Sequence, residues 1–214
     1  MDKPVLSTEV NAAFEISEIT PSIVLVRFNR PAERNPLSIS TLTDLSNSLP
    51  NWFGYDHIEA MIFLGEGDVF ASGANIRELT GLDQSSAKRF SELGQNLLNT
   101  ISRARQRTIA AINGYCIGGA LDLALACDVR IAAAKATFAH PGARLGIITG
   151  WGGTQRLPRL IGKTRALGIF TSARTLDAKT ALQIGLIDYI GDPVLEAALR
   201  LAVPDGPDGS FANK

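Results

Sequence analysis

Residues 116–128 read CIGGALDLALACD: two glycines, then an apolar run interrupted by one carboxylate, Asp122. An ionised carboxylate away from water costs several kcal/mol unless something compensates it. Its presence here predicts that it faces a substrate cavity, with a carboxylate in a first helical turn, favoured by the dipole, as the plainer reading. Two glycine-containing loops carry related chemistry, ASGANI (71–76) after one strand and IGGAL (117–121) after another. Glycine lets backbone approach a ligand closely and present bare N–H groups. If ALDLALA (120–126) is a helix, Gly119 lies at its N-terminus, where the amide is unpaired and the dipole favours an anion. A second donor from Ala74 could meet it, and two such N–H groups aimed at one oxygen form an oxyanion hole. Taken alone, the spacing also fits two ordinary strand-to-helix turns.

The elements that must hold these residues follow from periodicity. AFEISEIT (13–20) and SIVLVRFN (22–29) read as two strands separated by Pro21, followed by the turn-rich NRPAERNPL. Ser40 is expected to cap a helix whose Leu42, Leu45, Leu49 and Trp52 recur at helical spacing. IEAMIFLGEG is a strand, and VFASGANIREL leaves it as a loop. Phe90, Leu93, Leu97 and Ile101 mark one face of a long helix running from about Ser85 to about Arg105. TIAAING and DVRIAAA are further strands, and 153–161 and 163–172 are helical segments. DAKTALQIG is a short capped helix and LIDYIG a last strand. Strands alternate with helices, so the fold class is α/β with crossover connections.

At 214 residues, one domain is expected. Lys plus Arg equals Asp plus Glu at 21 each, so no basic excess attracts nucleic acid or anionic lipid. SRARQR (102–107) reads as a surface-like helix end whose basic groups complement the dipole. The N-terminal residues lack the apolar region of a secretory signal, and no apolar run approaches the roughly 18 residues of a membrane span. Cys116 and Cys127 lie in apolar surroundings and read as reduced core residues, which places the chain in the cytoplasm. Two histidines and two isolated cysteines make no zinc motif, so no metal is expected. There is no GxSxG elbow, and GKT (162–164) lacks the earlier glycine of a phosphate loop because position 157 is Leu.

Five blocks in order, NRPAERNPLS, FASGANIREL, AAINGYCIGGALDLALACDVRIAA, FAHPGARLGIITGWGGTQRLPRLIG and AKTALQIGLID, resemble the crotonase superfamily, the enoyl-CoA hydratase/isomerase group. The resemblance covers about residues 12–192. It implies a spiral of ββα units, a homotrimer or homohexamer, and an acyl-CoA thioester as substrate with no permanently bound cofactor. Residues 1–11 would form an N-terminal arm, and 193–214 a short C-terminal helix and tail, a shortened version of the family's C-terminal helical region. By the same resemblance, Ala74 and Gly119 hold the thioester oxygen, with Gly118 beside them. The adenine and pantetheine arm runs along Ala74, Asn75, Ile76 and Arg77, and Glu33, Arg34 and Asn35 add CoA contacts.

Hydratases of the group use two glutamates, one on the buried helix and one in the later loop. Asp122 matches the first, shorter by one methylene; Gly142 matches the second and supplies no side chain. Water or a small anion could fill that gap, as bicarbonate does in some naphthoate synthases of the family. His140 could act as acid or base, with a loop histidine bonded to backbone as the plainer reading. Asp122 could also work alone. Trp151 stands where the family has a small residue, and either narrows the acyl pocket or packs in the core. The expected function is a hydratase-type lyase. Isomerisation, thioester hydrolysis and acyl-CoA binding without turnover remain open.

Overall fold

A computed structural model describes residues 7–202. The chain opens with β1 (Thr8–Val10), β2 (Phe14–Thr20) and β3 (Ile23–Phe28), joined as antiparallel neighbours. A two-residue strand, β4 (Pro36–Leu37), leads into α1 (Ile39–Phe53). Next come β5 (Ala60–Gly65), β6 (Val69–Ala71), β7 (Gly73–Ala74), α2 (Ile76–Leu79) and α3 (Gln84–Ser102). A second turn of the same pattern is β8 (Arg107–Ile112), β9 (Tyr115–Ile117) and α4 (Gly119–Ala126). A third is β10 (Val129–Ala132), β11 (Thr137–Ala139) and α5 (Gly142–Leu145). The rest is α6 (Gly153–Ile161), α7 (Lys163–Ser172), β12 (Leu176–Asp177), α8 (Ala178–Gln183), β13 (Tyr189–Ile190) and α9 (Val194–Ala202).

Each turn of the spiral sends its first strand to one sheet and its second to another. The seven-stranded sheet runs β1-β2-β3-β5-β8-β10-β13, and the four-stranded sheet runs β12-β11-β9-β6. From β3 to β13 the large sheet is parallel, as crossover connections require. All six residues of β5 are buried because both faces are covered. Met61 and Phe63 point into the main core, while Ala60, Ile62 and Leu64 join the cluster that packs under α9. The period-two alternation of a strand thus feeds two separate cores.

Several sequence expectations need revision. The N-cap of α1 is Ser38, not Ser40: Ser38 is extended, and its hydroxyl accepts from the Thr41 N–H at 3.1 Å. The long helix begins one residue earlier than expected and stops at Ser102. Gln106 in SRARQR is buried rather than surface-like, and its carboxamide donates to the Phe53 carbonyl at 3.0 Å. VFASGANIREL is not a plain loop but holds β6, β7 and α2. The whole four-stranded sheet was invisible to periodicity because its strands are two or three residues long. Within the expected N-terminal arm, Thr8–Val10 pairs as the edge strand of the large sheet. Residues 1–6 and 203–214 lie outside the described residues.

Candidate active site

β7 pairs in parallel with β4, with Leu37 opposite Ala74, so the turn that precedes β4 sets the height of the Ala74 loop. Asn35 anchors that turn. It is buried at φ +48°, and its side-chain oxygen accepts from the Arg30 N–H at 2.8 Å. Its amide donates to the carbonyl of Val69 at 2.7 Å, with longer contacts to Glu66 and Phe70. Both polar ends of this side chain therefore bind the protein itself. Glu33 and Arg34 are exposed on the same turn, where Glu33 pairs with Arg30, and neither lines the cavity described next.

The two glycine loops meet. Gly73 sits at φ +80°, and a Cβ there would lie 2.5 Å from the Ile117 carbonyl oxygen and 2.7 Å from the Gly119 nitrogen. Only glycine permits this approach. Gly118, at φ +59°, donates its N–H to the Ala139 carbonyl at 2.8 Å and turns the chain into α4. Gly119 is the first residue of α4, so its N–H has no acceptor within the helix. Ala74, Gly118 and Gly119 line one cavity of about 380 Å³ together with Asp122, His140 and Trp151. Gly142 and Ile76 line it too, whereas Asn75 caps α2 by accepting from the exposed Arg77 N–H at 3.1 Å.

Asp122, in the first turn of α4, is 1% exposed. Its Oδ1 is 2.9 Å from Nε2 of His140, and its Oδ2 accepts the Thr149 hydroxyl. A Cβ at Gly153 would lie 2.0 Å from Oδ1, so the carboxylate rests against the first residue of α6. Two hydrogen-bonding side chains and the N-termini of two helices thus surround the carboxylate. Arg156 also bears on it. Desolvation holds its guanidinium below the usual range, and the Asp122 charge opposes that shift. Burial pushes the Cys116 thiol well up, and the same carboxylate adds to the effect. Asp122 is thus a compensated charge at a cavity wall.

His140 is buried and bonded to a side chain, not to backbone as the plainer reading held. Its ring packs edge-on against Phe170, with centroids 5.2 Å apart. Trp151 is 3% exposed and also lines the cavity. Its ring is wedged between α3 and α4: a Cβ at Gly94 would come within 2.3 Å of it, and one at Gly119 within 2.1 Å. Phe90 stacks edge-on at 5.3 Å.

Thr149, Gly153 and Phe90 were missed as site residues. Phe90 reads as part of a helix stripe, and nothing in the spacing of Thr149 marks it. Ser91 and Gln95 of α3 both donate to the Gly150 carbonyl, at 2.8 and 2.7 Å, and so fix the loop that carries Thr149.

Gly142 is filled space rather than an empty socket. A Cβ there would lie 2.6 Å from the Ile147 carbonyl oxygen, in a turn closed by the Ile147 N–H bonding back to Gly142 at 3.0 Å. Gly142→Glu is expected to open that turn, lower stability by about 1–3 kcal/mol in urea titration, and leave turnover no faster. A faster and equally stable variant would show that the turn yields freely.

Among the described residues, no group of three or more His, Cys, Asp or Glu could hold a metal ion. Cys116 and Cys127 are free and buried, and no described helix is long and apolar enough to cross a membrane.

Strands dealt alternately to two sheets, with a glycine turn from each of two repeats meeting at one cavity, define a crotonase fold. A family model for enoyl-CoA hydratase/isomerase matches residues 18–202. The chain belongs to that family and is an enzyme of it. It is 36% identical to crotonyl-CoA hydratase of Syntrophomonas wolfei over 83% of this chain and 69% of that relative. It is also 36% identical to the mitochondrial methylglutaconyl-CoA hydratase of Homo sapiens, over 90% of this chain but only 60% of the relative. The crystal structure of an enoyl-CoA hydratase from Bacillus anthracis superposes with a TM-score of 0.85 at 33% identity, covering 89% of this chain and 75% of that one.

Proposed function

We propose that the chain adds water across the double bond of a 2-enoyl-CoA thioester. The observation that carries this reading is the buried, compensated Asp122 carboxylate on the wall of the cavity that Gly119 and Ala74 also line. The N–H groups of Ala74 and Gly119 polarise the thioester carbonyl, and losing one such donor typically costs about 10²–10³ in rate. Asp122 holds the water that attacks C3, and the electron pair of the double bond moves onto the thioester oxygen as an enolate. The largely apolar lining, which includes Ile76 and Phe90, suits an acyl chain.

The substrate is a CoA thioester and no resident cofactor is required. The CoA arm follows Ala74 to Arg77, with Glu33 and Arg34 at its outer end. Residues 12–192 form the acyl-CoA-binding unit, onto which β1 and α9 pack. Assembly is as a homotrimer or homohexamer, and the compartment is the cytoplasm, in keeping with two unpaired buried thiols.

The test is mass spectrometry of 2-enoyl, 3-enoyl and cyclic acyl-CoAs incubated in H₂¹⁸O. A 3-hydroxyacyl-CoA carrying ¹⁸O is expected. Proton exchange without oxygen gain would instead make the chain an isomerase, and thioesters bound but unchanged would make it a binder.

A further inference from the structure

We propose that His140 is the second acid–base group of this site, taking over the proton traffic that a carboxylate at position 142 cannot carry. The inference rests on the hydration reading and deepens it. Position 142 is closed to any side chain by the Ile147 carbonyl, 2.6 Å from where a Cβ would lie. Two residues earlier, the same segment delivers an imidazole to the same cavity. That imidazole is 4% exposed, and its only hydrogen-bond partner among the described residues is the catalytic carboxylate, at 2.9 Å.

The bond pattern assigns the ring nitrogens. An ionised carboxylate only accepts, so Asp122 takes the Thr149 hydroxyl on Oδ2 and the Nε2–H of His140 on Oδ1. The neutral ring then keeps its lone pair on Nδ1, and Asp122 orients the imidazole and stabilises the imidazolium, as a carboxylate does beside a catalytic histidine elsewhere. Gly153 leaves room for this carboxylate, while Thr149 and Phe170 hold the two members of the pair from either side.

The step balances without any co-reactant. Water oxygen bonds to C3 as the C2–C3 π pair moves to form the enolate on the thioester oxygen. The water proton passes to the imidazole, giving an imidazolium beside the carboxylate. The enolate then takes that proton at C2, the carbonyl re-forms, and neutral His140 is restored. The net change is one water added.

The experiment compares wild type, His140→Gln and His140→Ala on the same enoyl-CoA, with and without added imidazole. Glutamine can still donate to Asp122 but cannot carry a proton. The expected result is a kcat lower by about 10²–10⁴-fold in both variants, with KM within about threefold. Added imidazole should restore at least a tenth of the lost rate to His140→Ala and none to His140→Gln. A His140→Gln enzyme within about threefold of wild-type kcat would overturn the proposal, leaving His140 a positioning residue for Asp122. Equal losses in both variants that imidazole does not relieve would overturn it as well. Wild type inert toward the whole panel would overturn the hydration reading itself, and this assignment with it.

Discussion

Asp122→Asn is expected to lower kcat by about 10²–10⁴-fold while the affinity for a saturated acyl-CoA stays within about threefold. The substitution is isosteric, so cavity shape and the N–H groups of Ala74 and Gly119 are left in place. The lost capacity is the negative charge that steadies the His140 imidazolium and helps to hold the attacking water. An amide also offers one acceptor oxygen where two donors converge, the Thr149 hydroxyl and Nε2–H of His140. One donor loses its acceptor, or the His140 ring changes tautomer and Nδ1 no longer carries the free lone pair. Either way the proton path is broken twice. Steady-state kinetics with a calorimetric binding control checks this, and an Asp122→Asn enzyme retaining more than about a tenth of wild-type kcat would remove Asp122 from the chemistry.

Gly119→Ala is expected to be nearly as damaging, for a steric reason. The added methyl would sit 2.1 Å from the Trp151 ring, and that ring is already held between α3 and α4 with its far side against Gly94. Neither neighbour can retreat freely, so the start of α4 must move and the Gly119 N–H with it. A misaimed donor costs about 10²–10³ in rate, and overpacking costs about 1–3 kcal/mol in stability. The second variant, Trp151→Ala, separates these effects. In a double-mutant cycle, the stability cost of Gly119→Ala should largely disappear in the Trp151→Ala background, giving a favourable coupling of about 0.5–3 kcal/mol. Additive losses would mean that the ring is not what Gly119 must avoid.

Much of the frame was legible because it rests on local periodicity. Leu42, Leu45, Leu49 and Trp52 are all buried on α1, and the helices over 153–161 and 163–172 stand where their apolar spacing and Gly162 put them. Ser38 caps α1 where Ser40 was expected, because both are competent hydroxyls and only backbone dihedrals choose between them. The anchoring role of Asn35 was not legible, because a polar residue in a turn gives no local sign that three distant carbonyls will claim its amide.

The sequence by itself determined the α/β class, the two glycine turns, the carboxylate in the apolar run after the second of them and the absence of a side chain at position 142. All of these are properties of residue type and near-neighbour spacing. Only the tertiary structure decided that position 142 is shut by the Ile147 carbonyl and that Trp151 fills the gap left by Gly94 and Gly119. It alone showed that His140 and Thr149, 18 and 27 residues further along the chain, converge on Asp122. Those outcomes depend on where separate turns of the spiral meet. Contact between them is fixed by packing across the two sheets, which leaves no periodic trace in the chain.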